Sequence, residues 1–230
     1  SYLGTNSVMA GLFVCAILAY LLTRVSRRLG AWVTIAAPFA ALAALILLRS
    51  EMGTVRQLLF LQFRMTEYGW FFSVIMLTVF GCVSFFNIFW MDKIAQPAAY
   101  NLLYLLALLG TIGAFLAHDF ISLFVFWEMI VWASMFIIPF GKSRRASVVY
   151  YAFSALGSMS MLFGVLFLYS RTGTFVIADA LGAAAGDPTL AWVAFVTIGI
   201  AGLVKLGVFP FHIWLPQAHE IGRASWWVRV

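Results

Sequence analysis

The chain has 230 residues, of which 64% are hydrophobic and only 10% are charged, and its formal net charge is +6. A soluble domain of this size needs a charged shell that this composition cannot supply, so soluble classes are excluded. The basic residues lie in short loops between apolar segments, which favours membrane orientation and argues against a nucleic-acid partner. Because the chain contains no Gly-rich phosphate loop, nucleophile triad or metal-ligand spacing, we expect no cofactor and no metal in it.

Seven apolar segments are long enough to cross about 30 Å of hydrocarbon at ~1.5 Å of helical rise per residue. In chain order they are approximately 7–23, 29–48, 70–90, 100–116, 120–139, 148–169 and 190–209. Aromatic residues near the span ends predict an interfacial belt, namely Tyr68, Trp70, Trp90, Tyr100 and Trp214. The sequence therefore predicts an all-α, polytopic membrane protein with about seven transmembrane helices.

Two segments between the spans are too polar to cross a membrane. Residues 54–66 (TVRQLLFLQFRMT) show partial alternation, which predicts a short strand or an interfacial segment. Residues 173–188 are rich in Gly and Ala and carry two acids, so we expect a surface loop with at most one turn of helix. We place helices 1–3 in residues 1–99, with a short extracytoplasmic segment at 51–69, and helices 4–7 in residues 100–230.

Loop charges predict the orientation. The first, third and fifth loops hold Arg24, Arg27, Arg28, Lys93, Lys142, Arg144 and Arg145 against Asp92 alone. The other three loops hold Arg49, Arg56, Arg64 and Arg171 against Glu51, Glu67, Asp119, Asp179 and Asp187. By the positive-inside rule the odd-numbered loops are cytoplasmic, so we expect the N-terminus outside.

Two charged residues lie deep within apolar spans, Glu128 in FVFWEMIVW and Lys205 in GLVKLGVFPFHIWLP. An ionised side chain at mid-bilayer costs about 2.5–3.5 kcal/mol on insertion scales, so such residues usually face a partner or a wet cavity. One acid and one base at this depth suggest a proton path. Two alternatives stay open: Glu128 as a hydrogen-bonding acid without a transport role, and Lys205 as its static partner.

The residues after Lys205 predict a broken helix. Pro210 has no amide hydrogen and clashes with the carbonyl four residues back, and Gly207 softens the same turn. Broken helices at membrane depth line water-filled cavities in transporters, where the freed backbone groups bind ions. His212 is a candidate proton relay beside this break, with an interface or packing role as the alternative. His219 and Glu220 are candidates for proton entry, with solvated surface groups as the alternative.

Three motifs resemble one family in order and spacing. KLGVFPFHIW at 205–214, followed by LPQAH, resembles the discontinuous seventh helix of the antiporter-like subunits. FVFWE at 124–128 resembles that family's fifth helix, and YSRTGTF at 169–175 resembles its loop after helix six. Respiratory complex I, membrane-bound hydrogenases and multisubunit cation/proton antiporters share this family.

The resemblance implies ion translocation, most simply of protons, by a subunit of a redox-driven membrane complex. Glu128 would match the helix-five glutamate and Lys205 the helix-seven lysine, which form a charge pair that tightens or separates as a neighbouring subunit changes state. The implied partners are lipid and other membrane subunits, including homologous antiporter-like ones. The implied location is a bacterial or archaeal cell membrane.

The chain departs from the family in two respects. Members have about fourteen helices in two inverted repeats, and this chain ends before helix eight, so it would be a partial first repeat. Many members also place a basic residue early in helix six, and residues 148–169 contain none.

Three other functions compete with ion translocation driven by redox chemistry. A non-conducting structural subunit and a cation/proton antiporter subunit without redox chemistry both stay open. A seven-helix retinal protein would need an acidic counter-ion on the third span, and residues 70–90 contain no acid.

Overall fold

The structure is a computed structural model that describes residues 4–90, 93–141 and 144–215. Its helices are α1 (Thr5–Val25), α2 (Arg27–Leu47), α3 (Glu67–Trp90), α4 (Pro97–Leu116), α5 (Phe120–Ile137), α6 (Arg144–Thr172), α7 (Ile177–Ala184) and α8 (Pro188–Leu206). Within these described ranges, all helices except α7 are long and apolar enough to cross a membrane. The predicted all-α class with seven spans is therefore confirmed.

The chain divides into two compact units, Ser1–Ala133 and Ser134–Val230, and the boundary falls within α5. In the first unit, α1 packs against α2 and α4, while α3 packs against α2 and α4. The core of this unit is built from side chains with almost no exposed surface: Met9, Leu45, Phe63, Met65, Leu77, Leu105, Leu108, Ile112 and Leu116. Each helix buries one apolar stripe there and leaves its other apolar residues exposed, as expected of a protein whose solvent is lipid.

The alternation in residues 54–66 predicts a short strand or an interfacial segment, and the structure has a β-hairpin there, after α2. Strands β1 (Val55–Leu58) and β2 (Leu61–Arg64) pair antiparallel. Gln62 fixes the hairpin to the turn between α4 and α5, since its N–H donates to Ser122 Oγ at 2.8 Å and its carbonyl accepts from the His118 N–H at 3.0 Å. The hairpin therefore sits against the end of the helix pair that leads into Glu128.

The second unit is organised around the close pairing of α6 and α8. A Cβ added at Gly157 would lie 3.3 Å from Ala201 Cα, and one added at Gly164 would lie well inside contact distance of Thr197. Ser160 Oγ also donates to the Thr197 carbonyl at 2.9 Å. Small residues bring transmembrane helices together because their backbones can then approach closely.

Helix α7 differs from the expected loop. The sequence predicts a surface loop with at most one helical turn at 173–188, whereas α7 runs through eight residues and packs against both α6 and α8. Ala180 and Ala184 lie four residues apart on its buried face. Alanine is the best helix former and needs little room, which explains both the extra turn and the close packing.

Gly69 in α3 tests the packing of the first unit. A Cβ at this position would lie 2.5 Å from the Phe115 carbonyl oxygen, a backbone atom that cannot rotate away. We expect Gly69→Ala to destabilise the protein by about 1–3 kcal/mol, as overpacking does elsewhere. Thermal unfolding in detergent measures this change.

Gly11→Ala is the matched control for that variant. Gly11 also lies within a spanning helix, and a Cβ there meets no atom within 4 Å. The control should keep or slightly raise the unfolding temperature, since alanine is favoured over glycine in helices by up to about 1 kcal/mol. Equal stability of the two variants would contradict the close approach of α3 and α4.

Candidate functional site

Helix α5, which carries Glu128, is capped at its N-terminus by Asp119. Asp119, which is 5% exposed, accepts hydrogen bonds from the Ser122 N–H at 2.7 Å and from Ser122 Oγ at 3.2 Å. This is an N-cap interaction, in which a side-chain oxygen satisfies an amide that has no partner within the helix. Glu128 follows Phe120 by eight residues and so lies ~12 Å along the helix axis. The sequence presents Asp119 only as a loop charge, and the structure makes it a structural cap.

Two glycines of α4 bring α5 close just before the glutamate. A Cβ at Gly113 would overlap the Phe126 ring, and one at Gly110 would lie 3.0 Å from the Phe126 carbonyl oxygen. Phe126 is 3% exposed, and its ring centroid lies 5.6 Å from that of Phe63 in the hairpin. The backbone that carries Glu128 is therefore held in place by its neighbours.

The Glu128 carboxyl group is incompletely satisfied. Its Oε1 atom is buried and has no hydrogen-bond partner among the described residues. Leaving a buried polar atom without a partner costs about 1–3 kcal/mol, and more for a charged group. Such an atom needs an explanation, which can be a water, an ion or a role in chemistry.

Lys205 lies in the last turn of α8, and this helix ends at Leu206. Gly207 adopts the left-handed conformation with φ = 63°, and its N–H donates to the Val204 carbonyl at 3.1 Å. The Val208 N–H donates to the Leu203 carbonyl, also at 3.1 Å. These two hydrogen bonds form a Schellman motif, which satisfies carbonyl groups that would otherwise lack partners at the C-terminus of the helix.

The helix end explains why a cation is tolerated at Lys205. The C-terminus of a helix carries about half a negative charge, which favours a nearby cation by about 0.3–1 kcal/mol at exposed sites and more where it is partly buried. The Lys205 side chain is half-buried, and its Nζ donates to the Tyr150 hydroxyl at 3.0 Å. The fold thus places the predicted lysine beside a favourable dipole and a neutral hydrogen-bond acceptor.

The helix ends at Leu206, before Pro210. The sequence predicts a break at Pro210, but this proline lies three positions beyond Gly207 in the turn that follows. Gly207 in the left-handed conformation already ends the helix, so Pro210 is not the residue that interrupts its hydrogen bonds. Any continuation of a discontinuous helix would extend past Leu215, outside the described residues, and this part of the prediction stays untested.

Trp214 is a buried part of the site. The sequence places it in an interfacial belt, but it is 9% exposed, and its indole N–H donates to the Val204 carbonyl at 2.9 Å. Its ring also contacts the Tyr150 ring edge to face, with centroids 5.1 Å apart. Neither contact could be read from the sequence, because the residues lie 10 and 64 positions from Trp214.

The other predicted residues lie around this turn or outside it. His212 is exposed, and its ring lies 5.7 Å from that of Phe209. His219 and Glu220 lie outside the described residues.

Glu128 belongs to the first unit and Lys205 to the second, so their pairing stays a prediction. Within residues 4–90, 93–141 and 144–215, no three His, Cys, Asp or Glu side chains are grouped as metal ligands would be.

Gly207→Ala tests the closure of α8. An alanine forced into the left-handed region costs about 1–2 kcal/mol, and its Cβ would also lie 3.2 Å from Leu215. We expect a lower unfolding temperature. Gly202→Ala on the same helix is the control, since a Cβ there meets nothing within 4 Å. Unchanged stability of Gly207→Ala would show that α8 does not end in this motif.

Comparisons with known proteins identify the segment that carries this site. Residues 117–226 match the family model described as "NADH:quinone oxidoreductase/Mrp antiporter, TM". The chain is 29% identical over 226 residues to NADH-quinone oxidoreductase subunit N 2 of Rhizobium meliloti, covering 93% of this chain and 45% of that protein. It is 34% identical over 117 residues to a subunit of the Na⁺/H⁺ antiporter of Bacillus subtilis, covering 49% and 24%. The chain thus spans less than half the length of these relatives.

Solved structures show the same fold. A chain of the Mrp complex from Dietzia sp. DQ12-45-1b superposes with a TM-score of 0.86 at 25% identity, covering 93% of this chain and 25% of that one. A chain of the archaeal membrane-bound sulfane sulfur reductase gives 0.80 at 24% identity, covering 93% and 36%. The resemblance drawn from the sequence is confirmed, because residues 117–226 match the model of the transmembrane family shared by NADH:quinone oxidoreductase and the Mrp antiporter.

Proposed function

We propose that the chain is an ion-translocating, antiporter-like subunit of a multisubunit membrane complex, and that the ion is the proton. The observation that carries the proposal is Glu128, whose buried Oε1 atom lacks a hydrogen-bond partner among the described residues. A carboxyl group left incompletely paired in the middle of an apolar helix is costly, and such residues mark ion pathways. A purely structural acid would be expected to hydrogen-bond through both of its oxygens.

In this proposal Lys205 is the second charge of the pathway. Its position at the C-terminus of α8 lets the ammonium form exist in an apolar span, and a lysine that can also lose its proton can carry one. When a neighbouring subunit changes state, the attraction between Glu128 and Lys205 would strengthen or weaken and drive proton release. His212, exposed beyond the turn, would exchange this proton with water, and His219 and Glu220 would serve proton entry.

The complex and its driving reaction are part of the proposal. The relatives compared are named as subunits, so in this proposal the chain works together with other membrane subunits, among them homologous antiporter-like ones. Likeness to a subunit of NADH-quinone oxidoreductase favours a redox-driven complex in a bacterial or archaeal cell membrane.

A second candidate is a subunit of a cation/proton antiporter without redox chemistry. It is favoured by the 34% identity to the Na⁺/H⁺ antiporter protein of Bacillus subtilis and by the TM-score of 0.86 to a chain of the Mrp complex. Co-purifying subunits separate the two candidates. Iron-sulfur or nickel-site proteins would indicate a redox-driven complex, whereas only small membrane subunits would indicate an antiporter.

Glu128→Gln is the direct test of ion translocation. The substitution is nearly isosteric and removes the titratable charge, so the complex should assemble while translocation falls by about ten-fold or more, the equivalent of about 1.4 kcal/mol. Lys205→Ala should abolish translocation, and Lys205→Arg should impair it, because arginine keeps its charge but does not release its proton. Ion uptake into vesicles containing the whole complex measures each effect.

Glu67→Gln supplies the matched control. It makes the same chemical change at an exposed acid in the first turn of α3 and should pump as the wild type does. Wild-type pumping by Glu128→Gln and by both lysine variants would instead leave a non-conducting structural subunit as the better assignment.

We also propose that the N-terminus lies outside, as the loop charges predict. In a variant with both native cysteines replaced by alanine, a cysteine at Ser26 should react with an impermeant thiol reagent only from the cytoplasmic side. A cysteine at Gln57, on the hairpin, should react only from the opposite side. Reversed labelling would invert the orientation and with it the direction of transport.

A further inference from the structure

Tyr150 is a residue of α6 that the fold brings to Lys205. Its hydroxyl oxygen lies 3.0 Å from Lys205 Nζ, and the same nitrogen lies 5.5 Å from the centre of the tyrosine ring. The two residues are 55 positions apart and lie on α6 and α8, which pack closely together. The contact is therefore made by the tertiary structure.

The tyrosine ring has little freedom to move away from Lys205. Tyr150 is 3% exposed, and the ring of Trp214 packs against it edge to face with centroids 5.1 Å apart. Trp214 is in turn bonded through its indole N–H to the carbonyl of Val204, the residue just before the lysine. Tyr150, Trp214 and the end of α8 thus form one connected unit around the amine.

A phenol has chemical properties that suit a lysine which changes its protonation state. The hydroxyl oxygen can accept a hydrogen bond from the ammonium form, and the hydroxyl hydrogen can be donated to the lone pair of the neutral amine. A carboxylate can only accept, so it would favour the ammonium form alone. A hydroxyl can therefore remain the partner of Lys205 throughout a cycle of proton uptake and release.

We propose that Tyr150 is the positioning residue of Lys205, whose hydroxyl holds the lysine amine beside the end of α8 in both protonation states. Tyr150 keeps its own proton throughout: Lys205 exchanges a proton with the rest of the pathway, and the hydrogen bond between the two side chains reverses its direction. The inference rests on the proposed role of Lys205 in translocation. Without this role, the packing of the Tyr150 ring would be the only reason for a tyrosine at this position.

The test is made in the intact complex in vesicles. Tyr150→Phe keeps the ring and its contact with Trp214 and removes only the hydroxyl. Because hydrogen bonds to charged groups are the stronger ones, we expect roughly a ten-fold or greater loss of translocation. Tyr169→Phe removes a hydroxyl from an exposed tyrosine on the same helix, where the ring stacks on Phe175, and should pump normally.

A double-mutant cycle separates positioning from packing. If Tyr150 acts through Lys205, Tyr150→Phe should add little to the defect of Lys205→Arg. A structural role would produce the same fold-loss in both backgrounds, and that result would overturn the proposal. Wild-type translocation by Tyr150→Phe would overturn it as well.

Two further variants keep the outcome decisive. If Tyr150→Phe fails to assemble, Trp214→Phe keeps the Tyr150 hydroxyl and loosens its ring, and its smaller loss should likewise vanish in the Lys205→Arg background. Lys205→Ala distinguishes the two proposals. If Lys205→Ala pumps as the wild type does, the proposed function fails. If Lys205→Ala does not pump but Tyr150→Phe pumps normally, only the positioning role of Tyr150 fails.

Discussion

The closure of α8 is the constraint on which the arrangement around Lys205 depends. In an apolar environment the last carbonyl groups of a helix cannot turn to water, so they must find partners within the protein. Gly207, Val208 and Trp214 supply those partners for Leu203 and Val204. The same turn leaves the negative end of the helix dipole next to the lysine, so one local structure satisfies the backbone and stabilises the charge.

The other charged residue is treated differently by the fold. Lys205 donates a hydrogen bond to Tyr150, whereas Glu128 keeps a buried oxygen without a partner among the described residues. Helix α5 itself is well fixed, by the Asp119 cap at its start and by the close approach of α4 beside Phe126. Because the backbone of α5 is well fixed, the Glu128 oxygen cannot find a partner among the described residues by local rearrangement. The free-energy cost of this oxygen is therefore offset by the stability of the rest of the fold.

Small residues determine how closely the helices can approach one another in both units. In the first unit, Gly110 and Gly113 leave room for Phe126. In the second unit, Gly157 and Gly164 leave room for the backbone and side chains of α8. Since lipid is as apolar as the side chains, association between spanning helices depends on close contact more than on the hydrophobic effect. In the second unit this close contact allows a tyrosine on α6 to meet the amine of a lysine on α8.

The sequence by itself determined the spans, the presence of a strand within residues 54–66 and the two deep charges. These features follow from local composition: a span requires about 20 apolar residues, a strand requires alternation, and a charge within an apolar run is visible without any fold. The motifs also predicted the family, because the spacing of KLGVFPFHIW and FVFWE is a property of the chain. The length of α7 was underestimated, since its second turn is supported by burial of Ala184.

Only the tertiary structure decided which groups surround Lys205 and where α8 ends. Pro210 is the stronger helix breaker on sequence grounds, yet the left-handed conformation of Gly207 ends the helix first. Tyr150 carried no local signal, because an aromatic residue in an apolar span can equally well face lipid or be buried, and the sequence placed Trp214 in an interfacial belt. Their role arises from contacts across 55 and 10 residues, and such contacts exist only after α6 and α8 have packed.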